Sequence, residues 1–129
     1  VFSDNQWHNV FFAFDRSGSC TLYVDGQYDT SVPITSVSEN INNDKPLIIG
    51  ANLCCGVNQY YGGFLDELFL LDKVLNESEI LALNNDGSIE ELTNIKGYWN
   101  FNEGSNSIVN DLSGNGNHGT IHGATWVER

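Results

Sequence analysis

The sequence predicts an all-β sandwich, and three observations predict it. Apolar residues come in short runs rich in β-branched and aromatic side chains, such as "VFFAF" and "TLYV". Turn-forming clusters, "DRSGS" and "DLSGNGNHG" among them, separate these runs. Only "LNESEILALNNDG" carries helix start and stop signals. Short strands joined by turns bury their apolar faces against one another in two layers. A chain of 129 residues can bury roughly two thirds of its unfolded surface, enough for one such core.

The first element is a hairpin of residues 7–14 and 20–25, joined by "DRSGS". A polar loop follows, and "KPLIIGANL" supplies a third strand. "GGFLDELFLLD" reads as a fourth, with Phe64, Asp66, Leu68 and Leu70 on one face and Leu65, Glu67, Phe69 and Leu71 on the other. The helix starts at Asn76 as N-cap, with Glu79 at the capping-box position, and Asn84, Asn85 and Gly87 end it. Leu75, Ile80, Leu81 and Leu83 give it an apolar side that would lie over a sheet edge. "IKGYWNFNEG", the glycine-rich stretch and "TIHGATWVE" complete the chain as short strands and turns.

Charge removes several functions. The formal net charge is -12, with only five Lys and Arg, so the clustered basic residues that neutralise a phosphate backbone or an anionic membrane surface are missing. Nucleic acid is therefore excluded as a partner. No run of about 18 apolar residues exists, which excludes membrane insertion by a helix. The first ten residues, "VFSDNQWHNV", lack the basic start and apolar middle of a secretory signal, so a secreted form would carry it removed. Cys20, Cys54 and Cys55 have no metal-ligand spacing; they are free thiols, or one disulfide and a spare. If residues 20–27 pair antiparallel with 46–53, Cys20 lies beside Leu53, within reach of Cys54 or Cys55.

"WHNVFFAFDRSGSCTLYVDG", "PLIIG" and "GGFLDELFLLDKVLNESEI" resemble the closing half of a laminin-G-like domain of the concanavalin-A-like lectin superfamily. "GYWNFNEGSNSIVNDLSGNGNHGTIHGATWV" resembles the opening half of the same family. The halves stand in reverse order, residues 1–87 before residues 88–129, and the central strands that separate them in the family are missing. A circular permutant, a piece of a tandem array, or a repeat completed by its neighbours would each look like this. All three predict exposed sheet edges, and only Lys45 and Pro46 stand near a predicted strand end to blunt one. Self-association follows as an expectation, with "GYWNFN" or "TIHGATWV" added to the "GFLDELFLL" sheet of another copy or a neighbouring repeat.

The resemblance implies an antiparallel jelly-roll sandwich with a calcium ion near the chain-end strands. The "D-x-SG-x-GN" loop has suitable chemistry for one wall of a cage. Asp111 would bring charge, Asn115 and Asn117 amide oxygens, and Gly114 and Gly116 the freedom to turn carbonyls inward. Asp66 or Glu67 would close the cage from the neighbouring strand. The other outcome for the same residues is a tight turn without an ion.

Catalysis is not expected. Glycoside hydrolases of this superfamily fold bring two carboxylates into one cleft, whereas Asp66 and Glu67 are adjacent and would face opposite sides of a strand. His8, His118 and His122 sit in no nucleophile motif. What remains is a non-catalytic, extracellular or cell-surface module that binds a glycan or an extracellular protein and is stabilised by calcium, or else a structural repeat of a self-assembling filament. Tyr60, Tyr61 and Trp126 are the aromatics placed to stack on a sugar.

Overall fold

The computed structural model describes residues 4–36, 44–52, 58–87 and 92–128. Two compact units emerge, Val1–Ile41 with Lys73–Asn94, and Asn42–Asp72 with Ile95–Arg129. All strand pairs are antiparallel and a single helix accompanies them, the expected all-β class.

In the first unit β1 (Val10–Phe14), β2 (Ser19–Val24) and β3 (Gln27–Pro33) form one sheet in that order. The β1–β2 turn is closed by Asp15, whose Oδ1 accepts from the N–H of Ser17 at 2.9 Å and from its hydroxyl at 2.6 Å. Asp25 and Gly26, both at positive φ (50° and 76°), make the two-residue turn into β3, the geometry that matches strand twist. β3 corrects the expectation of a loop after the "YVDG" arm. All seven of its residues are exposed, so no apolar alternation marks it, and only "DG" gives it away. Because β3 occupies that edge, β2 pairs Cys20 with Val32 and not with residues 46–53, which corrects the register proposed for a disulfide. Cys20 is half-buried, while Cys54 and Cys55 lie outside the described residues.

The expected first strand starts three residues late, at Val10. Residues 7–9 are instead held by side chains. His8 Nδ1 lies 2.8 Å from Asp25 Oδ2, His8 Nε2 lies 3.1 Å from Asp4 Oδ1, and the N–H of Asn9 donates to Asp25 Oδ1 at 2.9 Å.

Helix α1 (Glu77–Asp86) is built as its sequence directs. Asn76 accepts from the N–H of Glu79 at 3.0 Å, and Glu79 returns the bond from the N–H of Asn76 at 2.9 Å. Gly87 closes the helix at φ 60° with its N–H on the Leu83 carbonyl. Leu75 before the cap and Ile80 within it are both buried, the arrangement of a hydrophobic staple. With Leu83 and Tyr23 they make the core of this unit, and the Asn9 amide donates to Asn84 Oδ1 at 2.9 Å.

In the second unit β4 (Ala51–Asn52) pairs with β5 (Gln59–Tyr60), β6 (Leu68–Leu71) with β7 (Ile95–Trp99), and β8 (Ile108–Val109) with β9 (Gly119–Thr120). The fourth predicted strand is shorter than expected. Glu67 takes φ 49° and residues 64–67 lie outside β6, so the alternating-face arrangement of Asp66 and Glu67 does not apply. The pairing expected between copies is made within the chain, since β6 and β7 are partners. Trp99 and Val109 are buried here. The Trp99 indole folds back over Gly97, where any Cβ would overlap the ring.

Two outcomes follow. Asn76→Ala removes the capping oxygen and should cost about 1 kcal/mol in denaturant unfolding; no loss would contradict the capping geometry. Hydrogen bonds to Asp25 and then Asp4 raise the His8 pKa above its ordinary 6.5, whereas the bonds made by these two carboxylates lower their own. The raised His pKa contributes stability that is full below pH 6.5 and fades as pH rises through the folded value; the carboxylate contributions fade as pH falls below the acid range. The clip is therefore strongest in mildly acidic solution. Proton NMR titration should give a His8 midpoint above 6.5 that falls in Asp25→Asn; an unshifted midpoint contradicts it.

Candidate functional site

Loop 110–118 connects β8 to β9, and Asp111 is its organising residue. This side chain is only 6% exposed. Its Oδ1 accepts from the N–H of Tyr98 at 3.0 Å and of Ser113 at 2.9 Å, and its Oδ2 from the N–H of Asn117 at 2.8 Å. Burial pushes the carboxyl up, but the Ser113 hydroxyl and these three N–H groups outweigh burial and hold it far below the usual carboxylate range. The N–H of Asp111 itself donates to His118 Nδ1 at 3.1 Å, and that of Leu112 to the Tyr98 carbonyl at 2.8 Å.

The two asparagines present donors. Asn115 Nδ2 donates to the Ile95 carbonyl at 2.9 Å, and Asn117 Nδ2 to the Lys96 carbonyl at 2.8 Å. Backbone carbonyls only accept, so these amide orientations are determined by their partners. The Asn117 carbonyl accepts from the Trp99 indole at 2.9 Å. Gly114 and Gly116 have φ of 84° and 76° with open space where a Cβ would stand, so it is the left-handed backbone of the turn that calls for glycine there.

Glu67 Oε2 accepts from the Tyr98 hydroxyl at 2.6 Å. Tyr98 thus receives Asp111 at its backbone and Glu67 at its ring. Asp66 is half-buried one residue away. Among the described residues, no group of three or more His, Cys, Asp or Glu could hold a metal ion. The Asp111 oxygens that would bring the charge already accept three backbone N–H groups, a donor-lined surrounding that suits calcium poorly.

A different arrangement surrounds the tyrosines. Ile49, Gly50, Ala51, Asn52, Gln59, Tyr60, Tyr61 and Leu65 line a shallow, open depression of about 390 Å³. The β4–β5 pair shapes it, extended by the N–H of Tyr61 on the Gly50 carbonyl. Tyr60 is 72% exposed and Tyr61 58%, while Asn52 and Gln59 face each other as a strand pair with their amides 3.4 Å apart. The Tyr61 hydroxyl reaches the Phe64 carbonyl at 3.4 Å and its ring sits where a Cβ on Gly63 would go.

Trp126 is not part of this surface. Its indole N–H donates to the Asn106 carbonyl at 2.9 Å and the ring is half-buried. The sequence reading missed Asn52, Gln59, Ile49 and Leu65. The "QYYGG" string, amide beside paired aromatics and glycines, is the signal for them. Glu103 was missed as well; its Oε1 accepts from the N–H of Asn110 at 2.7 Å and anchors the start of the loop.

Residues 1–81 match a laminin-G family model described as concanavalin A-like lectin/glucanases superfamily. No curated protein and no solved structure matched the chain. The family match covers more than half of the 129 residues, including the β1–β3 sheet, the tyrosine-lined depression and the first half of α1. The chain belongs to the laminin-G-like family of the concanavalin A-like lectin/glucanase superfamily.

Proposed function

We propose that the chain is a non-catalytic recognition module, carried outside the cell or on its surface, that binds carbohydrate in the depression lined by Tyr60 and Tyr61. The observation that carries this is the pairing of two exposed aromatic rings with the Asn52 and Gln59 amides in one open surface. A sugar has an apolar C–H face and a rim of hydroxyls. Tyrosine rings cover the former, and amides donate to and accept from the latter. With a net charge of -12, the protein repels acidic glycans, so neutral sugars are the class it suits.

Binding is the activity this geometry favours over hydrolysis. Retaining and inverting hydrolysis both need two carboxyl groups flanking one bond. Among the described residues, no acidic side chain lines the depression, and a Glu67 oxygen is bonded to the Tyr98 hydroxyl. The family name includes glucanases as well as lectins, and it is the lectin side that this surface resembles. No helix among the described residues is long and apolar enough to cross a membrane.

A second reading, a self-assembling repeat, draws on one other surface. On the sheet of the first unit, Val10, Phe12 and Phe14 share a face with Cys20, Leu22, Val24 and Val32 by strand register. Val10, Phe12, Phe14 and Val32 are exposed there. Together they offer roughly 400 Å² of apolar surface per copy, within the range that marks interaction sites. Two copies packed face to face would bury about twice that, short of the roughly 1,000 Å² of a specific interface, so further contacts would have to join the patch.

A glycan array followed by titration separates these readings. A neutral glycan should bind, and Tyr60→Ala or Tyr61→Ala should weaken it about tenfold, the equivalent of one lost aromatic contact. Binding that neither substitution changes contradicts the site. Light scattering tests the second reading: Phe12→Glu should shift an associated chain to monomer, and a wild-type monomer at high concentration excludes it.

A further inference from the structure

We infer that the loop from Asp111 to Gly119 is a metal-independent clasp, in which the Asp111 carboxylate is the centre around which the loop closes and no cation is needed to complete it. An ionised carboxylate has about four lone-pair sites. Three are taken here, by the N–H groups of Tyr98, Ser113 and Asn117. Calcium wants six to eight oxygens facing one point. Here the geometry is the inverse, an oxygen pair at the centre with donors converging upon it.

The neighbouring groups follow the same polarity. Asn115 and Asn117 aim their N–H₂ groups at the carbonyls of Ile95 and Lys96. The Ile95 and Lys96 carbonyls of β7 are thereby paired. The Asn117 carbonyl is held by the Trp99 indole. The loop is thus bonded to β7 at four residues, Ile95, Lys96, Tyr98 and Trp99. Bonds to a buried charged acceptor are among the stronger ones a protein makes, so the closed form holds together without an ion.

The clasp also has a mechanical role. Leu112 donates to the Tyr98 carbonyl while the Tyr98 N–H donates to the Asp111 side chain. Both backbone groups of Tyr98 that point away from β6 are satisfied as a neighbouring strand would satisfy them. Loop and strand are held as one piece without ladder pairing.

Thermal unfolding with about 5 mM calcium and with excess chelator tests this on the wild-type chain, since that concentration exceeds the dissociation constants of ordinary calcium sites. The two curves should coincide within about 1 °C, because a ligand that does not bind the folded state leaves its melting temperature unchanged. Asp111→Asn, which keeps the shape and loses the charge, should melt lower by the same amount in both solutions. Asn115→Ala removes one bond to β7 and serves if Asp111→Asn does not fold. A saturable rise of more than about 3 °C with calcium in the wild type, lost in either variant, overturns the inference.

Discussion

Strand β7 has two edges, and both are occupied from within the chain. On one side it pairs with β6, residue for residue from Trp99 to Gly97. On the other, Asp111 and Leu112 satisfy the backbone of Tyr98, and Asn115 and Asn117 cap the carbonyls of Ile95 and Lys96. This double occupation organises the second unit. It places the Trp99 ring over Gly97 and on the Asn117 carbonyl, and it joins a segment resembling the family's last strand to one resembling its first. An open edge on β7 would invite another chain; a filled one does not.

The acidic composition has a structural explanation in the same chemistry. Asp4, Asp15, Asp25, Glu79, Glu103 and Asp111 each accept at least one backbone N–H. These are turns, caps and loop ends where the backbone cannot pair with itself. Six of the seventeen acids therefore serve local folding. Short strands need many such closures per residue, and an acid with a Ser, Asn or Gly neighbour is the cheapest sequence solution.

Much of this was legible in the residues. The helix could be read to its caps because capping boxes and terminal glycines act over three or four positions. The β1–β2 hairpin was legible from its turn and its apolar alternation. β3 was not, since an edge strand with every side chain exposed has no periodicity to detect. Glu67 was placed on a strand because nothing in "FLDELF" signals its left-handed backbone. The loop's glycines and asparagines showed that the chain must curl, but composition alone could not show the polarity. Asn carries both an oxygen and an N–H₂, and only the carbonyls of β7 show where the N–H₂ is directed. Residue type singled out Tyr60, Tyr61 and Trp126 alike; the two tyrosines line the depression, whereas the Trp126 indole is bonded to the Asn106 carbonyl.

The account turns on the Tyr98 N–H being held by the Asp111 carboxylate. Amide hydrogen exchange measures that bond directly. Tyr98 should be among the slowest-exchanging amides of its unit, together with Leu112, and its protection should be the same with chelator as with calcium. Fast exchange at Tyr98, or protection that appears only when calcium is added, would contradict the account.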